Sequence, residues 1–550
     1  MAKFDEEVQV PADLKGDDAA MLSMNKQGVR DGINWGTGPY PLAILVPIIA
    51  SLVLSHFLAA LDGTIISTSL GAISAEFNAQ SRISWVATAY ILTFNAFQPI
   101  TGKFTSIFGH KIMMAFGIAS FFIGSLVCAI APIIEVLIVG RAFQGMGGAC
   151  IISLVMITIV DMFPLERRPK FLVVVFINFG VSTVLGPLVG GAFIDRLSWR
   201  WCFWLNIILC PISFVFVIFF LNIPLQKSSL REKLARVDYW GTLGVLVFVL
   251  MLLLATSWGG ITYPWASAPV ISCYILAVLV LGGLVYVELT TPEPIIPPEI
   301  FKRWNASLCF AIAFFQGSGF FACIFYGPFF FQAAFSASAT SSGLSIIPLL
   351  GGLVVFSIVS GVLLPVVKYY NVLVVIGNAI VMVGLGMLST LDEQSSKAAQ
   401  ICYFLIVGVG LGFSFQPLFL CAQAAVADKE ELVGITTTLC NFFQSVGGGI
   451  GFAVLSAIFN NEFTSGFAAL SPEIQAYAAT HWDGNPNALG SLPTAMGAPI
   501  IHIYVLALQR VFRYALPFVG IGWLLTLCLK PSRVATGEEA KKMEQHAAMG

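Results

Sequence analysis

Charge is what this chain lacks. Only 10% of its 550 residues are Asp, Glu, Lys or Arg, while 57% are hydrophobic; an ordinary soluble domain carries roughly 25% charged residues. A water-soluble fold of this length has too little core to hide so much apolar surface, whereas a bilayer accepts it. The net charge of −1, with no basic stripe, argues against a nucleic-acid partner. Histidine is scarce as well: the five copies, His56, His110, His481, His502 and His546, are scattered and form no H-x-x-x-H pair. There is no GxSxG, no CxxC and no GxxxxGK[ST] in the chain. Hydrolase chemistry, a metal centre and a phosphate-cradling ATPase loop are therefore unsupported, and the chain is expected to be no enzyme and to need no cofactor or metal. The eleven cysteines fall almost wholly in apolar runs and read as small packing residues.

Long hydrophobic runs are abundant. A helix needs about 20 apolar residues to cross the hydrocarbon core. Fourteen such stretches are expected, near 45–70, 84–105, 111–131, 133–160, 171–194, 201–223, 240–258, 268–288, 306–331, 342–367, 372–391, 400–421, 433–459 and 511–530. The fold class is all-α integral membrane. Residues 1–40 and 531–550 are polar and are expected to be cytosolic tails; the first of them lacks a signal-peptide pattern. With both termini inside, the inner segments collect most of the Lys and Arg, which agrees with the positive-inside bias. The basic loop that starts at residue 224 and the Pro-rich segment that ends at residue 305 bracket two helices. They divide the chain into an N-terminal six-helix bundle (41–223), a linker with two extra helices (224–305) and a C-terminal six-helix bundle (306–530). Within the last, 461–510 is expected to be an outer loop. Its apolar end, Ala498 to Leu508, is too short to span and reads as a surface or re-entrant element.

Ionisable residues inside a span are costly, and a functional role is their default reading. Asp62 shares a narrow, partly polar face of the first span with Ser55, Ala59, Ile66 and Ser69. Arg141 shares a face of the fourth span with Gln144, Gly145 and Gly148. One reading places a buried carboxylate and guanidinium on a common cavity as a proton-coupling pair. The bland reading leaves Asp62 hydrated near the outer end of its helix. His56, six residues earlier, points elsewhere and reads as packing. Gly186, Pro187, Gly190 and Gly191 in the fifth span allow close helix approach and bending. Phe314, Phe321 and Phe325 fall at helical spacing in the ninth span. With the amides Gln144, Gln316, Gln416, Asn441 and Gln444 they form a candidate substrate cavity, apolar with a few polar contacts; lipid-facing packing is the plain alternative for the rings.

These residues resemble a known family. LDGTIISTSL, WVATAYILT, GRAFQGMGGA, LGPLVGG and WRWCFWLN occur in the order found in the major facilitator superfamily. Within that family the chain resembles the fourteen-span drug:proton antiporters of fungi, of the toxin and multidrug efflux type. The resemblance implies two six-helix halves that rock about a central site, and export of hydrophobic drugs, toxins or secondary metabolites driven by proton entry. It further implies Asp62 and Arg141 in coupling, the fifth span in closing a proton leak, a monomer surrounded by lipid, and residence in the plasma or the vacuolar membrane. One motif departs. GKFTSIFGHK keeps Gly102, Gly109 and Lys111, but Ser106 stands where the family has an acid and His110 where it has a base. The closed state is therefore expected to be latched differently, or less firmly. The alternative on the same fold is a proton-coupled importer, for instance of a siderophore.

Overall fold

A computed structural model describes residues 42–532 except 78–81, 166, 222, 224–228, 261, 483–488 and 490–491. The expected tails, apart from Pro531 and Ser532, lie outside the described residues. Fourteen long helices form the body among these. The first six are α1 Leu42–Phe77, α2 Ser84–Phe108, α3 His110–Ala129, α4 Ile134–Met162, α5 Arg168–Arg196 and α6 Trp201–Phe220. A pair follows, α7 Tyr239–Trp258 and α8 Ala268–Thr290. The last six are α9 Trp304–Phe335, α10 Ile347–Val367, α11 Tyr370–Leu388, α12 Lys397–Ala424, α13 Glu430–Ala468 and α14 Thr494–Leu527. Thirteen are long and apolar enough to cross a membrane. The other, α2, has 25 residues, and its hydropathy is diluted by Asn95, Gln98, Thr101 and Lys103.

One expected boundary is corrected. Segment 461–510 is not one loop: among the described residues its two ends and the short piece Pro472–His481 are helical, and Ala498–Leu508 is not a separate re-entrant piece. α13 continues through residue 468 and α14 begins at Thr494. At about 1.5 Å per residue these two helices outrun a hydrocarbon core of about 30 Å. Outside the bilayer a helix no longer has to be apolar all round, so a window that looks for unbroken hydrophobicity loses it. One face suffices there: Tyr504 packs on Phe459 and Phe463, Trp482 packs on Phe463, and Arg510 pairs with Glu462 at 2.6 Å.

The two halves repeat one packing plan. α1 packs on α5 and α6 as α9 packs on α13 and α14. α3 packs on α4 and α6 as α11 packs on α12 and α14. The halves meet along two seams, α2 and α4 with α13, and α5 with α10. α7 leans on two members of the first seam, α2 and α13, and α8 leans on α7; Trp85 and Trp258 meet edge to face where α7 joins α2. Odd-numbered helices start, and even-numbered helices end, at the end of the bundle that carries Lys103, Lys111, Arg168, Arg236, Lys302 and Lys429. We call this the basic end.

Candidate functional site

The polar face of α1 becomes a ladder against α6. Ser55, Asp62 and Ser69 stand seven residues apart, so they share one side of the helix. Antiparallel α6 answers each: Ser55 Oγ lies 2.6 Å from Ser213 Oγ, Asn206 Nδ2 donates to Asp62 Oδ1 at 2.8 Å, and Ser69 Oγ lies 3.2 Å from Cys202 Sγ. The middle rung is the only charged one.

α4 delivers the counter-charge. Arg141 Nη1 donates to Asp62 Oδ2 at 2.6 Å and to Gln144 Oε1 at 2.8 Å. Gln144 Nε2 donates to Asp62 Oδ1 at 3.2 Å and to Ser125 Oγ, on α3, at 2.8 Å. Arg141 Nε donates to the Val86 carbonyl at 3.1 Å, and the guanidinium lies 4.4 Å from the centre of the Tyr90 ring. Asp62 and Arg141 are each 1% exposed, which overturns the hydrated-end reading of Asp62. Close helix approach makes this possible. A Cβ on Gly145 would lie 2.2 Å from Thr93 Oγ1 and 2.3 Å from the Tyr90 carbonyl oxygen, so only glycine lets α2 reach α4 here. Gly148 faces the Tyr90 hydroxyl in the same way.

A buried ion pair of this kind is not chiefly a stabiliser. The attraction offsets a desolvation cost of similar size, but removing one partner strands the other and costs about 3–5 kcal/mol.

The glycine cluster of α5 faces two ways. Gly186 and Gly190 rest on Thr64 and Thr68 of α1, where a Cβ would come within 2.0 and 2.4 Å of the hydroxyls. Pro187 lies beside Gly343, in the short helix Ala339–Leu344 of the other half. Gly191 is buried on the same helix. His56 is buried on α1, and its Nδ1 accepts from Asn178 Nδ2 of α5 at 3.0 Å, which suits packing.

The expected substrate lining does not come together as one wall. Gln144 belongs to the ion-pair cluster, and its amide is fully used there. Gln316 is sealed inside the C-terminal half, donating to Ser414 Oγ at 2.5 Å and Asn378 Oδ1 at 3.5 Å. Gln416 Nε2 donates to the Pro169 carbonyl at 2.6 Å and so ties α12 to α5 at the basic end. Phe314 sits edge-on to Phe315, with its backbone carbonyl against Gly447. Phe321 and Phe325 pack with tilted rings between α9 and α13, on Gly448 and Phe452. Asn441 and Gln444 are half-buried on α13, with Nδ2 and Nε2 unpaired. Sequence reasoning missed Asn206, Tyr90 and Ser125. Asn206 carried a signal, an amide inside an otherwise apolar span; Tyr90 and Ser125 carried none.

At the basic end the departed motif meets new partners. Ser106 Oγ donates only to the Lys103 carbonyl, 2.7 Å away in its own helix, and His110 Nε2 lies 2.8 Å from Asp161 Oδ2. Gly102 rests on Thr438 of α13. Gly109 joins α2 to α3 at φ +92°, a backbone that favours glycine, and Lys111 lies in the first turn of α3. The Pro-rich connection after α8 supplies the ion pairs. Glu293 takes Lys103 of α2 at 3.0 Å and Arg236 of the basic loop at 2.9 Å. Farther along, Arg303 pairs with Asp428, and Glu299 with Lys429 at 2.5 Å. The connection thus runs from one half to the other. The hydrogen bond from Arg236, and after it the one from Lys103, holds the Glu293 carboxyl below its usual range.

A profile of the Major Facilitator Superfamily matches residues 52–452. The chain is 36% identical over 433 residues to "MFS-type efflux pump MFS1" of Arthroderma benhamiae, covering 78% of this chain and 80% of that protein. It is 34% identical over 477 residues to the "MFS thioclapurine efflux transporter tcpA" of Claviceps purpurea, covering 86% and 87%. It is 32% identical over 492 residues to "Efflux pump roqT" of Penicillium rubens, covering 88% and 90%. In fold it is similar to the human organic anion transporter MFSD10, with a TM-score of 0.59 at 12% identity over 88% of this chain and all of that one. It is also similar to the proton:xylose symporter XylE, with a TM-score of 0.58 at 13% identity over 92% of this chain and all of that one. These matches, together with a bundle of membrane-length helices, establish a multi-pass membrane transporter: the chain belongs to the major facilitator superfamily, among its fungal efflux transporters.

Proposed function

We propose that this transporter exports hydrophobic small organic molecules, in the class of drugs, toxins or secondary metabolites, in exchange for protons and by alternating access. The observation that carries this reading is the sealed Asp62–Arg141 pair, at 2.6 Å and 1% exposure on each side. In an otherwise apolar bundle one carboxylate holds one guanidinium, and a proton is the smallest cargo that undoes the attachment. Protonation of Asp62 cancels its charge and frees α4 from α1 and α6, which shifts the balance between two packings of the halves. The return of a proton down a membrane potential releases about 2.3 kcal/mol per 100 mV if the cycle is electrogenic. The basic end faces the cytosol, in keeping with the positive-inside bias, and both termini lie there. The ion pairs of the connection after α8 hold that end shut in the state described. Protons are the only driving partner; no cofactor is needed, the unit is a monomer, and the plasma membrane is its site.

The test uses the purified protein in liposomes sorted by orientation, with rhodamine 6G as substrate and an imposed pH gradient. Inside-out vesicles with an acidic lumen are expected to accumulate the dye, and a protonophore or Asp62→Asn to stop them. Uptake into right-side-out vesicles from an acidic medium overturns export in favour of the importer.

A further inference from the structure

The α2–α13 seam holds amides that nothing in the fold satisfies. Gln98 is 0% exposed, and neither its Nε2 nor its Oε1 has a hydrogen-bond partner. Most buried polar groups in folded proteins are paired, and each exception calls for an explanation; Gln98 is the one residue among those described with both amide atoms buried and unpaired. Asn95, one turn along α2, uses its Nδ2 on the Ile91 carbonyl but leaves Oδ1 unpaired. On α13, Asn441 Nδ2 and Gln444 Nε2 are buried and unpaired.

The register of the two helices brings Gln98 and Asn441 to one level. Gly102 lies against Thr438 and Ile435. α2 and α13 run antiparallel, so a step back along α2 matches a step forward along α13. Gln98 is one turn back from Gly102 and shares its face; Asn441 is three residues forward from Thr438. Thr93 and Tyr90, which pack under Gly145 of α4, use another face of α2. Gln98 lies between that face and the face toward α13: Thr101, three residues on, reaches Cys150 of α4, while Gly102, four residues on, meets α13, so the amide sits at the edge where the other half joins its own. The closed seam leaves these groups stranded, and on the alternating-access reading the rocking that opens the basic end would uncover them.

A free carboxamide is a particular kind of reader. Nε2–H donates and Oε1 accepts side by side, which complements a cis amide bidentately: its C=O takes the amide hydrogen while its N–H meets the oxygen. A site with unmet donors and acceptors also rejects an analogue that cannot meet them, more sharply than an apolar pocket rejects a change of size. Resting on the transport reading above, we propose that Gln98, assisted by Asn441 across the seam, is a specificity residue that selects hydrophobic substrates carrying a cis amide, such as lactams and cyclic dipeptides. The aromatic and aliphatic bulk of the bundle accepts the rest of such a molecule without discrimination.

Binding to the purified full-length protein in lipid nanodiscs, with no pH gradient, tests this. The probes are cyclo(Leu–Phe) and its N,N′-dimethyl analogue, which keeps the carbonyls and loses both N–H donors. Wild type is expected to bind the parent at least about tenfold more tightly. Gln98→Leu is expected to bring that ratio close to one while leaving the dimethyl compound's affinity unchanged, and Asn441→Leu to lower the ratio part way. A purely structural amide would weaken both ligands together. Gln98→Leu is also expected to raise the melting temperature of the empty protein, because it removes a stranded polar group; a fall would show a satisfied amide, held for example by a buried water, and overturn the proposal. Equal binding of the two compounds by wild type overturns it as well, with no variant needed. Asp62→Asn is expected to keep the ratio, so a failed coupling scheme and a failed selectivity scheme give different results.

Discussion

The two halves share a packing plan and differ in what they bury at corresponding places. In the N-terminal half, α1, α3, α4 and α6 converge on a carboxylate, a guanidinium and two amides, with every polar atom of Asp62 engaged. In the C-terminal half, α9, α11 and α12 converge on Gln316, Asn378 and Ser414, all neutral, and Gln316 Oε1 is left without a partner. Of these two buried clusters, only the N-terminal one carries charge. On the proposed mechanism a proton changes the internal cohesion of that half and leaves the other untouched, and this asymmetry is what would let a single protonation event act on the seam between them.

The comparison is broken most severely at Asp62. Asp62→Asn leaves Arg141 buried with no counter-charge, at a cost of about 3–5 kcal/mol. Proton-driven dye transport in vesicles is expected to vanish, with the protein still inserted and monodisperse in detergent. Next is Asn206→Leu, which removes one hydrogen bond to an ionised group, worth about 1.5–3 kcal/mol. Thermal unfolding is expected to register that loss, and transport to be slowed but not abolished. If Asn206→Leu proves harmless, the carboxylate has other donors and the ladder between α1 and α6 is incidental.

A smaller effect belongs to Glu293, which joins α2 to the basic loop. Its carboxyl is held below the ordinary value of 4.5, so its ion pairs are present above that value and are lost only as pH falls through the depressed one. Across roughly pH 5–8 the closure of the basic end is therefore expected to be insensitive to Glu293 protonation. Salt should act instead, because the pair with Arg236 is half-exposed. Spin labels on α4 and α13 at that end should report a wider distribution in Glu293→Gln, and in wild type at high salt. Charge reversal by Lys103→Glu with Glu293→Lys should narrow it again. A distribution that does not respond to any of these removes the connection after α8 from the closing of that end.

Much of this was legible in the sequence, and the reason is cost. A charge inside a membrane span is rare because it is expensive, so Asp62 and Arg141 stand out in any apolar stretch. Gln144 is placed beside Arg141 by helical spacing alone. Amides are cheaper and therefore quieter. Asn206, Gln98 and Gln316 look alike in sequence, yet the first is satisfied by a carboxylate, the second by nothing and the third by a serine; only the packing of other helices decides which. Grouping Gln144, Gln316 and Gln416 as one lining failed for that reason. The long reach of α13 and α14 was hidden because hydropathy reports the bilayer, not the helix. The replacement for Ser106 was hidden too, since its partners lie in a connection nearly two hundred residues farther along the chain.

The mildest change sharpens the comparison most. Gln316→Leu is the C-terminal counterpart of losing Asp62, and its neighbours can absorb it. Ser414 Oγ still donates to the Gly410 carbonyl at 2.9 Å, and Asn378 Nδ2 still donates to the Val374 carbonyl at 3.0 Å. What is lost is one donor, which leaves Asn378 Oδ1 and one lone pair of Ser414 Oγ unfilled, while the unpaired Gln316 Oε1 disappears with the substitution. The net change in stability is expected to lie within about 1 kcal/mol, with dye transport and its dependence on the pH gradient unchanged. Leucine has nearly the volume of glutamine, so no large cavity opens to confuse the result. A collapse of proton-driven transport in Gln316→Leu, with the protein still folded, would mean that the neutral half also takes part in coupling, and the division of labour drawn from the two buried clusters would fall.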